Sequence, residues 1–445
     1  MTDLETTKAK TFQAIVAQNE TLLTLLVFFG SYPILYLVNI LLARTLGAAN
    51  YGDFAVTRSV ATLAATTAVL GLQRASLHFL PVYRKQGAHE TAKGFVYAAL
   101  LAVIVTGLVI SGLGVVITQV ARSRMLADEH PVMVAMFWVM PMSLGLLTLS
   151  LLGGHQQVFL SSLLGKVGLP LITGLLLGVV FLFGDTLTDF RAVWLVILAR
   201  LLLTVWVVWL LWTIWRREYR QVAPQFELKL WAVAALPFLL STLVHSALWE
   251  SSMLILEAHH PSEAEVGIYA AVQQVAYLPI LALGAITTVA MPRLSVLLEE
   301  KETAPFQRQL GIYLRILIAF GAGSLIVYIV GGNFLLGLFG HDFRNGQTPL
   351  VVLGAGYLIA LVGGLVIPLL EIRQERKIVN LTMLALLAFN IALTYLLAPH
   401  YGALGAATAY TVAVAVIYTV QLILLQRRTG IPYLRSIVGS NTVSR

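Results

Sequence analysis

Five side chains in this 445-residue chain could do chemistry where chemistry is costly. Arg58, Arg74, Arg200, Glu250 and Gln273 all fall inside long apolar stretches. An ionised group at the centre of a membrane helix costs about 2.5–3.5 kcal/mol on insertion scales, so such groups face a hydrated path or a partner. Guanidinium groups grip phosphate and carboxylate bidentately, which makes the three arginines candidate anion-binding groups. A carboxyl in such a place, as at Glu250, can take up a proton or hold a cation, which makes it the candidate ion-coupling residue. Other chemistries find no support. There is no cysteine, which excludes disulfides, thiolate catalysis and thiolate metal ligands. No phosphate-binding loop, catalytic triad or His/carboxylate metal spacing is present. The pair His259-His260 reads as a solvated loop. The expectation is a protein that is not an enzyme and needs no cofactor or metal.

The five positions differ in depth. Arg200 lies seven residues past Val193, or ~10 Å below the end of its span at 1.5 Å per residue. At that depth it faces a cavity or pairs with Glu250. Arg58 is four residues into its span and close enough to the surface to snorkel. Arg74 and His78 are one helical turn apart and share a face near the other end of that span. Arg58 and Arg74 are sixteen residues apart, about 160° around an ideal helix, so one straight face cannot present both.

The elements that must position these groups are membrane helices. The hydrophobic fraction is 58% and the charged fraction 11%, with a mean hydropathy of +0.85. A soluble domain of this size cannot hide that much apolar surface. Twelve spans are expected: 21–43, 54–80, 94–118, 132–152, 163–183, 193–215, 230–256, 269–291, 313–331, 350–370, 379–398 and 403–425. Each is near the ~20 residues that cross ~30 Å of hydrocarbon. A short interfacial helix is expected over 333–341. The polar segment 1–20 shows no cleavable signal pattern, so the first span is expected to act as an uncleaved insertion signal.

Lysine and arginine set the orientation. With the N-terminus inside, twenty of them fall in inner segments and five in outer ones, and the bias holds only for an even number of spans. Both termini are therefore expected in the cytoplasm. The net charge of +8 belongs to this membrane asymmetry and does not signal nucleic-acid binding.

The chain also repeats itself. Tyr51-Gly52 within Leu46-Gly47-Ala48-Ala49-Asn50-Tyr51-Gly52 has a degraded copy in Val266-Gly267-Ile268-Tyr269, a shift of 215 from Gly52 to Gly267. Leu152-Gly153-Gly154-His155-Gln156 resembles Leu370-Glu371-Ile372-Arg373-Gln374 at a shift of 218. The shift of 215 pairs Arg58 with Gln273 at matching depth. Two parallel copies imply a pseudo-twofold axis along the membrane normal with a cavity between the halves. The expected organisation is a cytoplasmic segment 1–20, an N-lobe of six helices 21–215, a cytoplasmic loop 216–229, a C-lobe of six helices 230–426, and a cytoplasmic tail 427–445.

Four stretches carry a resemblance to the polysaccharide flippases, a family of the superfamily that also holds multidrug and toxin extrusion transporters and lipid II flippases. They are Leu42-Ala43-Arg44-Thr45-Leu46-Gly47 with Tyr51-Gly52, Val266-Gly267-Ile268-Tyr269-Ala270-Ala271 running to Met291-Pro292-Arg293-Leu294-Ser295, Leu336-Gly337-Leu338-Phe339-Gly340-His341-Asp342-Phe343, and Tyr401-Gly402-Ala403-Leu404-Gly405-Ala406-Ala407. The resemblance implies an all-α polytopic transporter in a bacterial inner membrane. Its substrate would be a lipid-linked oligosaccharide carried on polyprenyl pyrophosphate, which Arg58, Arg74, Arg200 and Gln273 would meet. Members often carry an aspartate shortly before the Val-Gly-x-Tyr stretch. Here that place is taken by Glu250, which leaves proton or sodium ion as the coupled ion. The rival readings are a multidrug exporter of the same fold and a membrane-embedded glycan polymerase or ligase. Short outer loops argue against the latter.

Overall fold

The computed structural model describes residues 2–124, 131–184, 187–259, 262–300 and 302–438. Helices make up most of them: α1 Thr2–Ala68, α2 Leu72–Gln86, α3 His89–Arg124, α4 Ala135–Gly154, α5 Val158–Leu163, α6 Leu169–Leu182, α7 Asp189–Glu218, α8 Leu228–His259, α9 Glu263–Ala276, α10 Leu278–Glu299, α11 Thr303–Gly337, α12 Gln347–Gly363, α13 Val366–Ile372, α14 Arg376–Thr429 and α15 Arg435–Val438. Among the described residues, ten helical stretches are long and apolar enough to cross a membrane. Two of these run far beyond one bilayer: Phe29–Ala68, 40 residues, and Lys377–Thr429, 53 residues. Each turns at a glycine with non-helical backbone, Gly47 (φ 75°, ψ 173°) and Gly402 (φ 53°, ψ −133°). Residues with a Cβ avoid that region. The crossings number ten or twelve, according to whether these two are divided.

Three expectations change in detail. The segment 44–53 is helix on both sides of Gly47 rather than a loop. The short helix expected over 333–341 is absent as a separate element, because α11 runs unbroken to Gly337 and a 3-10 turn follows at Asp342–Gly346. The span 54–80 is not one helix. Leu70 (φ 54°) and Gly71 (φ 74°) break it between α1 and α2.

The chain forms two compact units. One comprises Met1–Leu42 and Thr57–Ser246, the other Ala43–Val56 and Ala247–Arg445. In the first unit, α2, α3, α4, α7 and the start of α8 enclose a core that includes Leu80, Phe95, Leu147, Leu151, Tyr219 and Trp231. In the second unit, α12 sits among α9, α11 and α14. Its glycines admit large neighbours: Gly354 meets Tyr328, Gly356 meets Thr411, and Gly363 meets Tyr418.

The four quoted stretches converge in the second unit. A Cβ on Gly52 would stand 2.5 Å from the Glu263 carbonyl oxygen and 2.9 Å from the Gly267 nitrogen. A Cβ on Gly267 would collide with the Ala48 carbonyl and stand 3.0 Å from the Gly52 nitrogen. Each glycine thus faces the other, and each faces the carbonyl four residues before its counterpart. Arg44 Nε donates to the Leu338 carbonyl at 2.7 Å. The Tyr51 ring meets Phe343 edge-on at 5.9 Å, and Glu265 Oε2 accepts from the Ala403 amide at 3.0 Å.

Candidate functional site

Arg200 is held by α7 against α4. Gly145 makes room for it: a Cβ there would lie 3.1 Å from Arg200 Cδ and 3.0 Å from Thr204 Oγ1. Thr204 turns back to bond the Arg200 carbonyl at 2.8 Å, as helical threonines do. Arg200 Nε is enclosed and, among the described residues, has no acceptor. Enclosing a polar donor without a partner costs about 1–3 kcal/mol, more for a charged group. Arg200 thus keeps one guanidinium N–H that no described group accepts.

Arg74, on α2, donates from a terminal nitrogen to Ser241 Oγ on α8 at 3.3 Å. His78, one turn further along, lies 6.4 Å ring to ring from Phe238, and His245, one turn beyond Ser241, lies within the electrostatic reach of Arg74. The structure therefore gathers Arg74, His78, Ser241 and His245 on the α2–α8 seam. Arg58 is half-buried on the last part of α1, and Thr62 bonds its carbonyl at 2.7 Å. The break at Leu70–Gly71 lies between Arg58 and Arg74, so the 160° separation of a straight helix does not govern them. All three arginines belong to the first unit.

Glu250 and Gln273 belong to the second unit. Gln273 is 5% exposed, and its amide donates to the Trp249 carbonyl at 2.7 Å. That bond fastens α9 to α8 and occupies one of the groups read as substrate-facing. Glu250 is also 5% exposed. The two residues after it, Ser251 and Ser252, receive the side-chain nitrogen of Asn390 on α14 at 3.3 and 3.1 Å. Ser252 and Thr394 approach at 3.4 Å. Asn390 Oδ1 is enclosed and has no donor. Asn390 escaped the reading of the sequence, although an amide between Phe389 and Ile391 in an apolar helix was a usable signal. Among the described residues, no group of three or more His, Asp or Glu is placed to hold a metal.

A second polar cluster lies outside the spans, where α2, α4 and α7 of the first unit end. Arg84 pairs with Glu218 at 2.7 Å and donates to the His155 carbonyl at 2.7 Å. His155 Nδ1 lies 2.8 Å from the Leu151 carbonyl, and Tyr219 Oη lies 3.2 Å from His155 Nε2. A donor is needed toward Leu151, so Nδ1 carries the proton and Nε2 accepts from Tyr219. Burial pushes the imidazole below its ordinary value and the Tyr219 phenol above its own. Both rings are held neutral, and the cluster ties helix ends together.

Comparison with known proteins places these features. A match to the family described as "Polysaccharide biosynthesis protein" covers residues 17–298. No curated protein matches the chain. Among solved structures, an inward-facing multidrug resistance MATE family transporter of the MOP superfamily has a TM-score of 0.76 at 13% identity, covering 94% of this chain and 100% of that one. The lipid II flippase MurJ in an inward closed conformation has a TM-score of 0.66 at 12% identity, covering 94% and 90%. A MOP superfamily transporter from Pyrococcus furiosus, described as having a binding pocket of reverse polarity, has a TM-score of 0.61 at 13% identity, covering 91% and 93%. The fold is that of these transporters, all-helical and multi-pass.

Proposed function

We propose, from the premise that the chain belongs to the polysaccharide biosynthesis protein family, that it is a flippase. It carries a polyprenyl-pyrophosphate-linked oligosaccharide from the cytoplasmic to the outer leaflet of a bacterial inner membrane by alternating access. The observation that carries this reading is Arg200, with its enclosed and unbonded Nε beside Gly145. A diphosphate entering hydrocarbon needs charge compensation, and Arg200, Arg58 and Arg74 supply it in bidentate form. The prenyl tail stays in the bilayer, so only the headgroup needs a polar route.

Glu250 is the proposed coupling group, for a proton or a sodium ion. The open Oδ1 of Asn390, on the residue that bonds Ser251 and Ser252, supports an ion-linked role for this part of α8. The repeat at a shift of 215 supports two parallel six-helix lobes, 21–215 and 230–426, related by a pseudo-twofold axis along the membrane normal. The charge bias supports cytoplasmic termini. The fold also serves multidrug exporters, but organic cations call for an acidic path, and three arginines oppose it.

The test is complementation. Cells lacking the native gene receive the protein with Arg58→Ala and Arg200→Ala, and surface glycan is measured at matched protein level. Loss of export is expected. Full export by the double variant removes the anion-binding reading.

A further inference from the structure

The repeat continues past the last long helix of each half, and there the two copies diverge. His155 and Arg373 are equivalent at the shift of 218. In both units the next residue is a glutamine at positive φ, Gln156 at 66° and Gln374 at 61°. The same backbone bond closes both turns, from Gln157 to Leu152 and from Glu375 to Leu370. The ends of α7 and α14 align on Arg216-Arg217 and Arg427-Arg428, a shift of 211. From there each chain folds back over a glycine. A Cβ on Gly94 would run into the Gln225 carbonyl, and one on Gly311 into the Ser436 carbonyl. Gln225 and Ser436 again differ by 211.

In the first unit the chain fills this place itself. Glu218 pairs with Arg84, and the buried Tyr219 meets His155. In the second unit the aligned positions are Thr429 and Gly430. Gly430 ends α14 at φ 68°, whereas Tyr219 ends α7 at φ −122°. The backbone therefore leaves in another direction and sends in neither carboxylate nor ring. What remains is a cavity of about 370 Å³, lined by Glu302, Phe306, Arg373, Thr429, Gly430 and Ile431 among others. Ordinary ligand sites span roughly 300–1,000 Å³. The cavity lies where four membrane stretches end, at Glu299, Thr303, Ile372 and Thr429, so it opens to water and not to hydrocarbon. Arg373 and Glu302 are exposed, and among the described residues neither side chain has a partner. Their charges balance, so the walls select a pattern and not a net charge. The pattern is a carboxylate for Arg373, a hydroxyl donor for Glu302, and a ring against the buried Phe306 and Ile431. Glu227 already accepts from a tyrosine hydroxyl in this way, at 3.2 Å from Tyr83.

We propose that the cavity is a docking site for an acidic–aromatic segment of a partner protein, a glutamate or aspartate followed by a tyrosine, which takes in the second unit the place that Glu218 and Tyr219 take in the first. A polypeptide is the occupant because the group seated in the equivalent place is two consecutive residues of one. Arg373 holds the carboxylate, Glu302 accepts the phenol proton, and the ring enters the space left open at Gly430. The inference rests on the two copies of the repeat and does not need the flippase reading.

The test uses the full protein in phospholipid nanodiscs and a fluorescein-labelled peptide, Gly-Ser-Glu-Tyr-Ser-Gly, followed by anisotropy. Saturable binding is expected, and the same peptide with glutamine for glutamate should bind about tenfold more weakly. Arg373→Glu and Thr303→Trp each change an exposed residue. The first reverses the charge and the second puts a ring into the cavity, and each should weaken binding by about tenfold with an unchanged melting temperature. Glu302→Gln should remove the preference for the tyrosine peptide over its phenylalanine counterpart. With benzoylphenylalanine in place of the tyrosine, crosslinks are expected on the peptides that hold Phe306 and Ile431. No saturable binding to the wild type would overturn the proposal, as would equal binding by wild type, Arg373→Glu and Thr303→Trp. Equal affinity for free para-hydroxyphenylacetate would overturn it in favour of a small-molecule site. Transport of a fluorescent lipid-linked oligosaccharide is measured on the same preparation in vesicles. Transport without peptide binding removes the docking site and keeps the flippase. Peptide binding without transport removes the flippase reading and keeps the docking site.

Discussion

The two units solve the problem of polar groups in a membrane in different ways. Several buried hydroxyls in the first unit turn back on their own helices: Ser76 bonds Leu72, Thr148 bonds Leu144, and Thr173 bonds Leu169, while Thr106 also reaches the Ala68 carbonyl on α1. The charged groups of this unit include Arg58, Arg74, Arg200 and Lys166, and among the described residues Arg200 Nε has no acceptor. The second unit also has own-helix hydroxyl bonds, as at Thr382 and Thr408, but it buries amides and a carboxylate, and its buried amides bond across helices or across the Gly402 turn of α14. Asn390 reaches α8, Gln273 reaches the Trp249 carbonyl, and Gln421 donates to Thr382 at 2.8 Å. Own-helix bonds satisfy a side chain without fixing its neighbours, whereas cross-helix bonds fix packing. On the proposed reading the first unit supplies the groups that meet an anion, while these bonds of the second unit tie α8, α9 and α14 together near Glu250.

The sharpest break of that comparison comes from exchanging the charges. Arg200→Ala is expected to lower affinity for a lipid-linked oligosaccharide by tenfold or more, since a hydrogen bond to a charged group contributes about 1.5–3 kcal/mol. Glu250→Gln is expected to leave that affinity near wild type and to flatten the pH dependence of transport. Binding and transport measured on the same reconstituted samples separate the two. Retained binding in the arginine variant together with lost binding in the glutamine variant would reverse the assignment.

Backbone contact gives the next largest effect. Gly267→Ala drives a methyl into the Ala48 carbonyl, and overpacking of this kind costs typically about 1–3 kcal/mol. Gly178, on α6 of the first unit, has nothing within 4 Å of its virtual Cβ. Gly178→Ala should be neutral or stabilising by up to about 1 kcal/mol through helix propensity. Thermal melting of both variants in detergent makes the contrast, and equal shifts would remove the special status of the glycine crossing.

How much of this was legible beforehand follows from what each signal measures. Hydropathy measures the length and apolarity of a helix, so the membrane class and nearly all the crossings could be read. It cannot see a helix that continues through polar residues. Arg44, Asn50 and Asp53 make 44–53 look like a loop, but the helix resumes past Gly47, and Arg44 finds a carbonyl at Leu338, 294 positions away. The repeat was visible as a shift of 215 from Gly52 to Gly267. That the two glycines touch is a fact of packing and has no sequence signature. The repeat shift from Arg58 suggested Gln273 as a substrate group, and what the sequence could not show is that its amide donates to the Trp249 carbonyl. The break at Leu70 was hidden because a leucine at positive φ violates local preference, and only the surrounding contacts sustain it.

Smaller still is the expected difference between the two kinds of hydrogen bond. Asn390→Ala removes donors to Ser251 and Ser252 across helices. Interhelical hydrogen bonds in membranes average about 0.6 kcal/mol and reach about 1.7. Ser76→Ala removes only a bond to Leu72 on the same helix, and a change close to zero is expected. Chemical unfolding in mixed micelles resolves the pair if the amide variant loses more. Equal losses would mean that the second unit is not held by its polar core.

The finest test of the contrast lies outside the bilayer, where the first unit does use cross-helix bonds. His155 is 4% exposed. Burial lowers its pKa from 6.5, and Arg84 adds to the lowering, while the Leu151 carbonyl and Glu218 pull the other way. Tyr219 and, against its ring, His89 complete the titratable surroundings, and Lys93 donates to the Tyr219 carbonyl at 3.0 Å. A folded value below the unfolded one has a definite sign. Above pH 6.5 the imidazole is neutral in both states, and its contribution is constant. As pH falls below 6.5 the unfolded chain takes the proton first, so stability is lost until the pH passes the folded value, and it then levels off. His155→Gln keeps hydrogen-bonding capacity without the titration. Melting temperatures at about pH 7.5 and about pH 5.5 should show a smaller acid-induced drop in the variant than in wild type, the unfolded reference lying near 6.5. An identical drop in both would mean that His155 carries its proton in the folded state, and the neutral Nδ1–H tautomer bonded to Leu151 would be wrong.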